Sequence, residues 1–117
     1  MQTTYQPKAL SGDQLQALSQ EVKQALTELY GERLDRVILY GSYARGDFHA
    51  ESDVDYLVLL RDEQVKAGKE VRMMAPSIGA LALQYDVEVS VFPTSLSNYL
   101  SGHIPLYESI QQEGICA

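Results

Sequence analysis

Gly41-Ser-Tyr-Ala-Arg-Gly-Asp-Phe-His-Ala-Glu-Ser-Asp-Val-Asp55 is the stretch on which the reading of this chain turns. A Gly-Ser pair is followed, after ten residues, by Asp53-x-Asp55. The apolar run Val37-Ile-Leu-Tyr40 leads in, and Val54-Tyr-Leu-Val-Leu-Leu60 leads out. Both runs read as strands. The second is apolar at every position after Asp55, which predicts a central strand covered on both faces. The pattern is a phosphate-binding turn placed beside a pair of carboxylates.

Each half of that pattern has its own chemistry. Glycine lets backbone approach a phosphate closely, and a following helix start offers unpaired N–H groups and a positive dipole end. Ser42 is expected to cap a short helix running toward Arg45, closed by Gly46. Alone, Gly41-Ser42 is more often a tight turn with no ligand. Asp53 and Asp55, two apart on a strand, leave from the same face. Carboxylates that close repel unless a cation sits between them. Oxygen donors point to magnesium or manganese. A solvated acidic turn is the plainer alternative, but Leu57 and Leu59 follow on the same face and set the pair at the mouth of a buried strand.

The bulk properties narrow the field. The chain has 117 residues, enough for one domain. Its apolar content of 45% supports a packed core. The net charge of -7 disfavours stable DNA binding and anionic membranes. Cys116 is the single cysteine, so no disulfide framework is expected. No apolar segment reaches the roughly 20 residues of a membrane span, and the start lacks the layout of a signal peptide. A cytoplasmic location is the expectation.

Residues 1–10 read as a loose N-terminal arm and 11–117 as one domain. Ser11 and Gln14 have capping-box spacing, and Leu15, Leu18, Val22, Leu26 and Leu29 recur at helical spacing up to a stop at Gly31. Residues 63–84 favour helix, with a kink or a break expected at Pro76 and Gly79. Lys66, Lys69 and Arg72 are expected on its solvated face. Val87, Val89 and Val91 alternate with Asp86, Glu88 and Ser90, which predicts a last strand ended by Pro93. Pro105 and Gly114 bracket a helix of about two turns. The order α-β-α-β-α-β-α predicts a layered α/β domain. A third carboxylate is sought on the last strand, where Asp86 and Glu88 share a face; the wet face of an edge strand is the competing reading. Glu88 is slightly favoured. Arg45 reads as a brace for the acidic loop, with a triphosphate contact as its other role. Asp47, His49 and Glu51 read as loop decoration, and His103 as a bland loop histidine.

Together, GSYARG and SDVD resemble the active-site signature of the DNA polymerase β-like nucleotidyltransferase superfamily. In so short a chain they are similar to its minimal nucleotidyltransferases, the MNT-type antitoxins of HEPN/MNT toxin–antitoxin pairs. Tyr85-Asp-Val-Glu-Val-Ser90 and the segment from Pro105 to Gly114 extend the likeness. The resemblance implies a small mixed sheet flanked by helices, the polymerase β-like palm. It implies that Gly41, Ser42 and Arg45 bind nucleotide, here ATP. It implies that Asp53 and Asp55, with Asp86 or Glu88, hold two magnesium ions about 4 Å apart (manganese as substitute) and catalyse in-line transfer of AMP to a hydroxyl. The implied acceptor is a tyrosine on a helical HEPN-type toxin. Larger relatives carry an added helical domain, so a second subunit, a toxin or another copy of this chain, is expected to complete the site. Two other readings remain: neutralisation of a partner by contact alone, and nucleotidyl transfer to a small molecule or RNA.

Overall fold

The computed structural model describes residues 7–102 and 104–117. The expectations for residues 1–6 and for His103 lie outside them. Helix α1 spans Gly12–Tyr30 and opens with the expected capping box: the Gln14 N–H donates to Ser11 Oγ at 3.1 Å, and the Ser11 N–H to Gln14 Oε1 at 2.9 Å. Leu18, Val22, Leu26 and Tyr30 are its buried stripe. Tyr30, not Leu29, completes the stripe, and Leu29 is an exposed apolar residue. Gly31, at φ 56°, ends the α-helix and starts a 3-10 turn, Gly31–Arg33.

Four strands form one mixed sheet in the order β3-β2-β1-β4. Strand β1 (Leu34–Tyr40) runs antiparallel to β2 (Val54–Leu60). Strand β3 (Val89–Ser95) is parallel to β2, reached by the crossover helix α3 (Ala67–Tyr85). Between β1 and β2 lies the short helix α2, Ser42–Arg45. After β3 come α4 (Leu96–Leu100) and α5 (Pro105–Glu113), and the chain closes with β4, Ile115–Cys116, paired antiparallel to β1.

Alternation along the strands divides the core in two. Val37, Leu39, Val54, Tyr56, Val58 and Leu60 pack under α1 and α3. Ile38, Leu57 and Leu59 pack on the opposite face against Tyr99, Tyr107 and Ile110 of α4 and α5. The expectation that β2 is covered on both faces holds, since Val54 and Tyr56 through Leu60 are all buried. Polar groups in this core are paired. The Tyr107 hydroxyl donates to Thr94 Oγ1 at 2.9 Å, and the Tyr56 and Ser19 hydroxyls share a hydrogen bond of 2.7 Å. Buried Glu70 accepts from the Tyr30 hydroxyl at 2.7 Å and from Arg33 at 3.1 Å, and Arg33 also reaches Asp62 at 3.1 Å. That cluster ties the end of α1 to the start of α3. Burial and Glu70 both push the Tyr30 phenol up.

Several boundaries differ from expectation. Helix α3 starts at Ala67, Lys66 being its N-cap, and runs unbroken through Pro76 and Gly79. Pro76 is solvent-exposed, so water can serve the carbonyl deprived of its helical donor. Strand β3 begins only at Val89 and continues through Pro93 to Ser95. Proline is tolerated there because β3 is an edge strand. Asp86 and Glu88 therefore lie before the strand, not on it. Leu10, counted with the loose arm, is buried in the α1/α3 core. Helix α4 and strand β4 had no sequence signal strong enough to be expected.

Gly114 serves close packing more than termination. Its φ of -70° is ordinary, but a Cβ there would stand 2.5 Å from the Ile110 carbonyl oxygen and 2.5 Å from Ile38 Cγ2. This approach lets β4 dock on β1, with the Ala117 N–H donating to the Val37 carbonyl at 2.9 Å. Gly114→Val should lose about 1–3 kcal/mol by overpacking. That corresponds to a drop of roughly 4–8 °C per kcal/mol in a thermal melt. An unchanged melting temperature would contradict this packing account.

Candidate active site

The site is built where β1 hands over to β2. In the antiparallel register Tyr40 stands opposite Asp55, so the chain leaving β1 turns at Gly41 directly beside the entry to β2. Gly41 adopts φ 77°, ψ -156°, a conformation essentially reserved for glycine. A Cβ at Gly41 would lie 2.5 Å from Asp55 Oδ2. The Asp55 carboxylate thus packs against the bare backbone of the turn, and both the angle and the space demand glycine. Gly41, not Ser42, is the N-cap of α2; Ser42 is its first helical residue. The Ala44 and Arg45 N–H groups both turn back to the Gly41 carbonyl, at 3.1 Å each. The earlier N–H groups have no carbonyl behind them within the helix. Gly46, left-handed at φ 87°, closes α2 by donating to the Ser42 carbonyl at 2.9 Å.

The loop from Asp47 to Asp53 is held by contacts that the sequence reading missed. Tyr43 and Phe48 stack with centroids 4.4 Å apart and planes within 10°. The Tyr43 hydroxyl in turn accepts from the Leu10 N–H at 3.0 Å. The two aromatics flanking the turn were the available signal. Beyond them, the His49 N–H donates to Ser52 Oγ at 2.9 Å, and the Ser52 N–H returns to the His49 carbonyl at 3.0 Å. His49 Nδ1 accepts from the Glu51 N–H at 3.2 Å. His49 is therefore more than decoration: it braces the turn that delivers Asp53. Arg45 bridges to Asp47 at 3.3 Å and approaches Glu113 at 3.9 Å, in keeping with the bracing role.

Ser42, Arg45, Asp47, His49, Asp53 and Asp55 line one open hollow of about 440 Å³. A second hollow, of about 300 Å³, lies across Asp53 and is lined by Glu51, Asp86 and Glu88 among others. Asp53 borders both. The third-acid candidates thus lie in the neighbouring hollow and on different backbone. Asp86 is the left-handed C-cap of α3, at φ 51°. Glu88 is the last residue before β3, and its carbonyl accepts from the Val54 N–H at 2.9 Å. One step back from the Val54–Val89 pair along both strands stand Asp53 and Glu88. Beside Asp55 itself the register places Ser90.

The electrostatics favour a cation. Burial pushes the Asp55 carboxyl above its ordinary range, the neighbouring Asp53 pushes it further, and Arg45 partly offsets both. Tyr40 is likewise pushed up by burial, then by Asp55 and Tyr107. Two carboxylates with oxygen donors only, one of them costly to ionise, fit a hard divalent ion. Among the described residues no group of three or more His, Cys, Asp or Glu is assembled to hold a metal. An ion here would draw the rest of its coordination from phosphate oxygens and water. Among the described residues no helix is long and apolar enough to cross a membrane.

Comparison with known proteins agrees with this geometry. Residues 19–109 match the nucleotidyltransferase domain family. The chain is 40% identical over 70 residues to a provisionally named protein adenylyltransferase of Methanocaldococcus jannaschii, covering 60% of this chain and 69% of that protein. A solved structure provisionally described as a minimal nucleotidyltransferase aligns with a TM-score of 0.60 at 26% identity, covering 91% of this chain and 95% of that one. A complex of tri-AMPylated Shewanella oneidensis HEPN toxin with MNT antitoxin contains a chain of the same fold, with a TM-score of 0.54, 20% identity, and coverage of 86% of this chain and 69% of that one. The Gly-Ser turn, the paired aspartates and a family match spanning most of the sequence lead to one assignment: the chain belongs to the nucleotidyltransferase domain family, and its mixed sheet flanked by helices matches the fold of a structure described as a minimal nucleotidyltransferase.

Proposed function

We propose that this enzyme moves AMP from ATP to a hydroxyl, a tyrosine on a helical partner protein of HEPN toxin type, and so acts as an antitoxin. The observation that carries the reading is one hollow lined by Ser42 and the Asp53/Asp55 pair, with Gly41 packed directly behind Asp55. The 40% identity to a provisionally named protein adenylyltransferase supports AMP as the group moved and protein as the acceptor class.

In this reading the backbone at Gly41 and Ser42 receives the triphosphate, which glycine allows to come close. Asp53 and Asp55 would hold divalent ions, two magnesium or manganese, whose chemistry is to offset charge on the phosphate and on the attacking and leaving oxygens. Arg45, held by Asp47 and Glu113, keeps a positive charge at the rim of the hollow. Glu88 is the favoured proton acceptor for the acceptor hydroxyl, because its backbone continues the β2–β3 pairing beside Asp53. Asp86 is the weaker candidate, since its backbone belongs to the cap of α3. The direct test mixes the protein with its helical partner and ATP labelled at the α-phosphate. Label should appear on a partner tyrosine, with release of pyrophosphate. Neutralisation of the partner without label would favour contact alone.

The Asp53→Asn/Asp55→Asn variant should lose turnover by orders of magnitude while keeping the fold. Asp55 is harder to ionise folded than unfolded, so its ionisation works against the fold. That cost is absent below the ordinary aspartate value of about 3.9 and present at neutral pH. The variant should therefore melt at or above wild type at pH 7, and the gain should vanish in acid. Magnesium should raise the melting temperature of wild type only. Full pyrophosphate release by the double variant would contradict the mechanism.

For the third acid, Glu88→Gln should impair AMP transfer strongly, whereas Asp86→Asn should stay near wild type. Asparagine tolerates the left-handed cap, so the second variant should fold normally. Equal, small effects from both would show that neither residue is the base.

A further inference from the structure

We infer that His49 binds the triphosphate, its imidazole Nε2–H donating to an oxygen of the part that leaves as pyrophosphate. This rests on the transfer reading above and adds a nucleotide contact beyond the Gly41-Ser42 turn, Arg45 and the aspartates. The ring is held by its own loop. His49 Nδ1 accepts from the Glu51 N–H at 3.2 Å. A nitrogen that accepts carries no proton, so the ring is the neutral tautomer with its proton on Nε2. The backbone beneath it is fixed by the two bonds exchanged with Ser52. Ring position and tautomer are therefore set before any ligand arrives, as a preorganised donor requires.

Its placement selects the ligand. His49 is exposed and lines the hollow that also holds Ser42, Arg45, Asp53 and Asp55. It does not line the second hollow, although Ala50, Glu51 and Ser52 do. Asp86 and Glu88, the candidate proton acceptors, are on that second side of Asp53. Attacking and leaving oxygens lie roughly in line across the α-phosphorus. An acceptor hydroxyl entering on the acid side therefore sends the pyrophosphate toward His49. With Nδ1 facing the turn, Nε2 is on the opposite edge of the ring, and among the described residues no group accepts its proton. The hollow is short of donors for so charged a guest. Asp47, Glu51, Asp53 and Asp55 all line it, and its one guanidinium, Arg45, is already met by Asp47 and Glu113. The Nδ1 bond also argues against metal ligation. A histidine that ligates through Nε2 leaves that nitrogen bare and donates from Nδ1, the reverse of this arrangement.

His49→Asn separates bracing from binding. An asparagine oxygen accepts from the N–H two residues on and keeps the turn, but brings no N–H to the place of Nε2. The melting temperature of the variant, and its rise with magnesium, should match wild type, since Asp53 is still delivered. Calorimetric affinity for an ATP analogue that cannot be cleaved at the α–β bridge, with magnesium, should fall about tenfold. NMR of ring-labelled histidine gives a second readout that needs no change at His49. In a His103→Asn protein His49 is the single histidine, and its proton should be on Nε2. That signal should move when the analogue is added and stay in place when AMP is added. Wild-type affinity in His49→Asn, a proton on Nδ1, or a ring signal that ignores the analogue would each overturn the role of His49 while leaving AMP transfer standing. Should His49→Asn melt early, the ring spectra decide alone. Failure of wild type to bind the analogue would overturn this contact and the transfer reading together.

Discussion

The structure depends on a contact between a carboxylate and a backbone with no side chain. Asp55 packs against Gly41, in space where a Cβ would be 2.5 Å from its Oδ2. The β1–β2 register makes that contact unavoidable, because Tyr40 and Asp55 are cross-strand partners. A chain that leaves β1 there must turn sharply, in a conformation essentially closed to other residues. The bare backbone of the turn and the strand that carries Asp55 are thus fixed relative to each other by pairing and packing. The loop between them is shaped by the Tyr43–Phe48 stack and the His49–Ser52 turn.

The rest of the fold holds that corner rigid and leaves it open. One sheet face is closed by α1 and α3, tied through Glu70, Tyr30 and Arg33. Burial pushes the Tyr56 hydroxyl up to about 12, so it stays protonated and bonded to Ser19. The other face is closed by α4 and α5 over Ile38, Leu57 and Leu59. Asp55 lies on that second face, at the end of β2 that they leave uncovered. Its partial burial is enough to make its charge costly. It also lines the open hollow that Ser42 and Arg45 share. Stability and chemistry pull against each other there, as expected where like charges are held together for function.

Much of this was legible because the informative pattern is local. A Gly-Ser turn, a ten-residue loop and Asp-x-Asp between two apolar runs bring four candidate residues to the junction of two adjacent strands without any knowledge of the remaining chain. The capping box at Ser11 and the stripe along α1 were equally local. What could not be read depended on neighbours distant in sequence. The alternation around Val87 resembled a strand start, yet Asp86 takes the left-handed cap that ends α3, and pairing with β2 begins at Val89. Pro93 looked like a terminator, but at an edge strand it costs little. Strand β4 has two residues, too few for any periodicity, and exists because Gly114 lets it approach β1. The buried Glu70 gave no warning in a helix rich in charge, since its partners come from α1 and the turn after it.

The central claim is that the Gly41 turn and Asp55 form one nucleotide-binding unit. Calorimetric titration of wild type and Gly41→Ala with a non-hydrolysable ATP analogue and magnesium tests it most directly, provided that a thermal melt first shows the variant folded. The added methyl must displace the Asp55 carboxylate and distort the turn. Affinity should therefore fall by at least about tenfold, equivalent to 1.4 kcal/mol. A folded Gly41→Ala protein that binds the analogue as tightly as wild type would contradict the account.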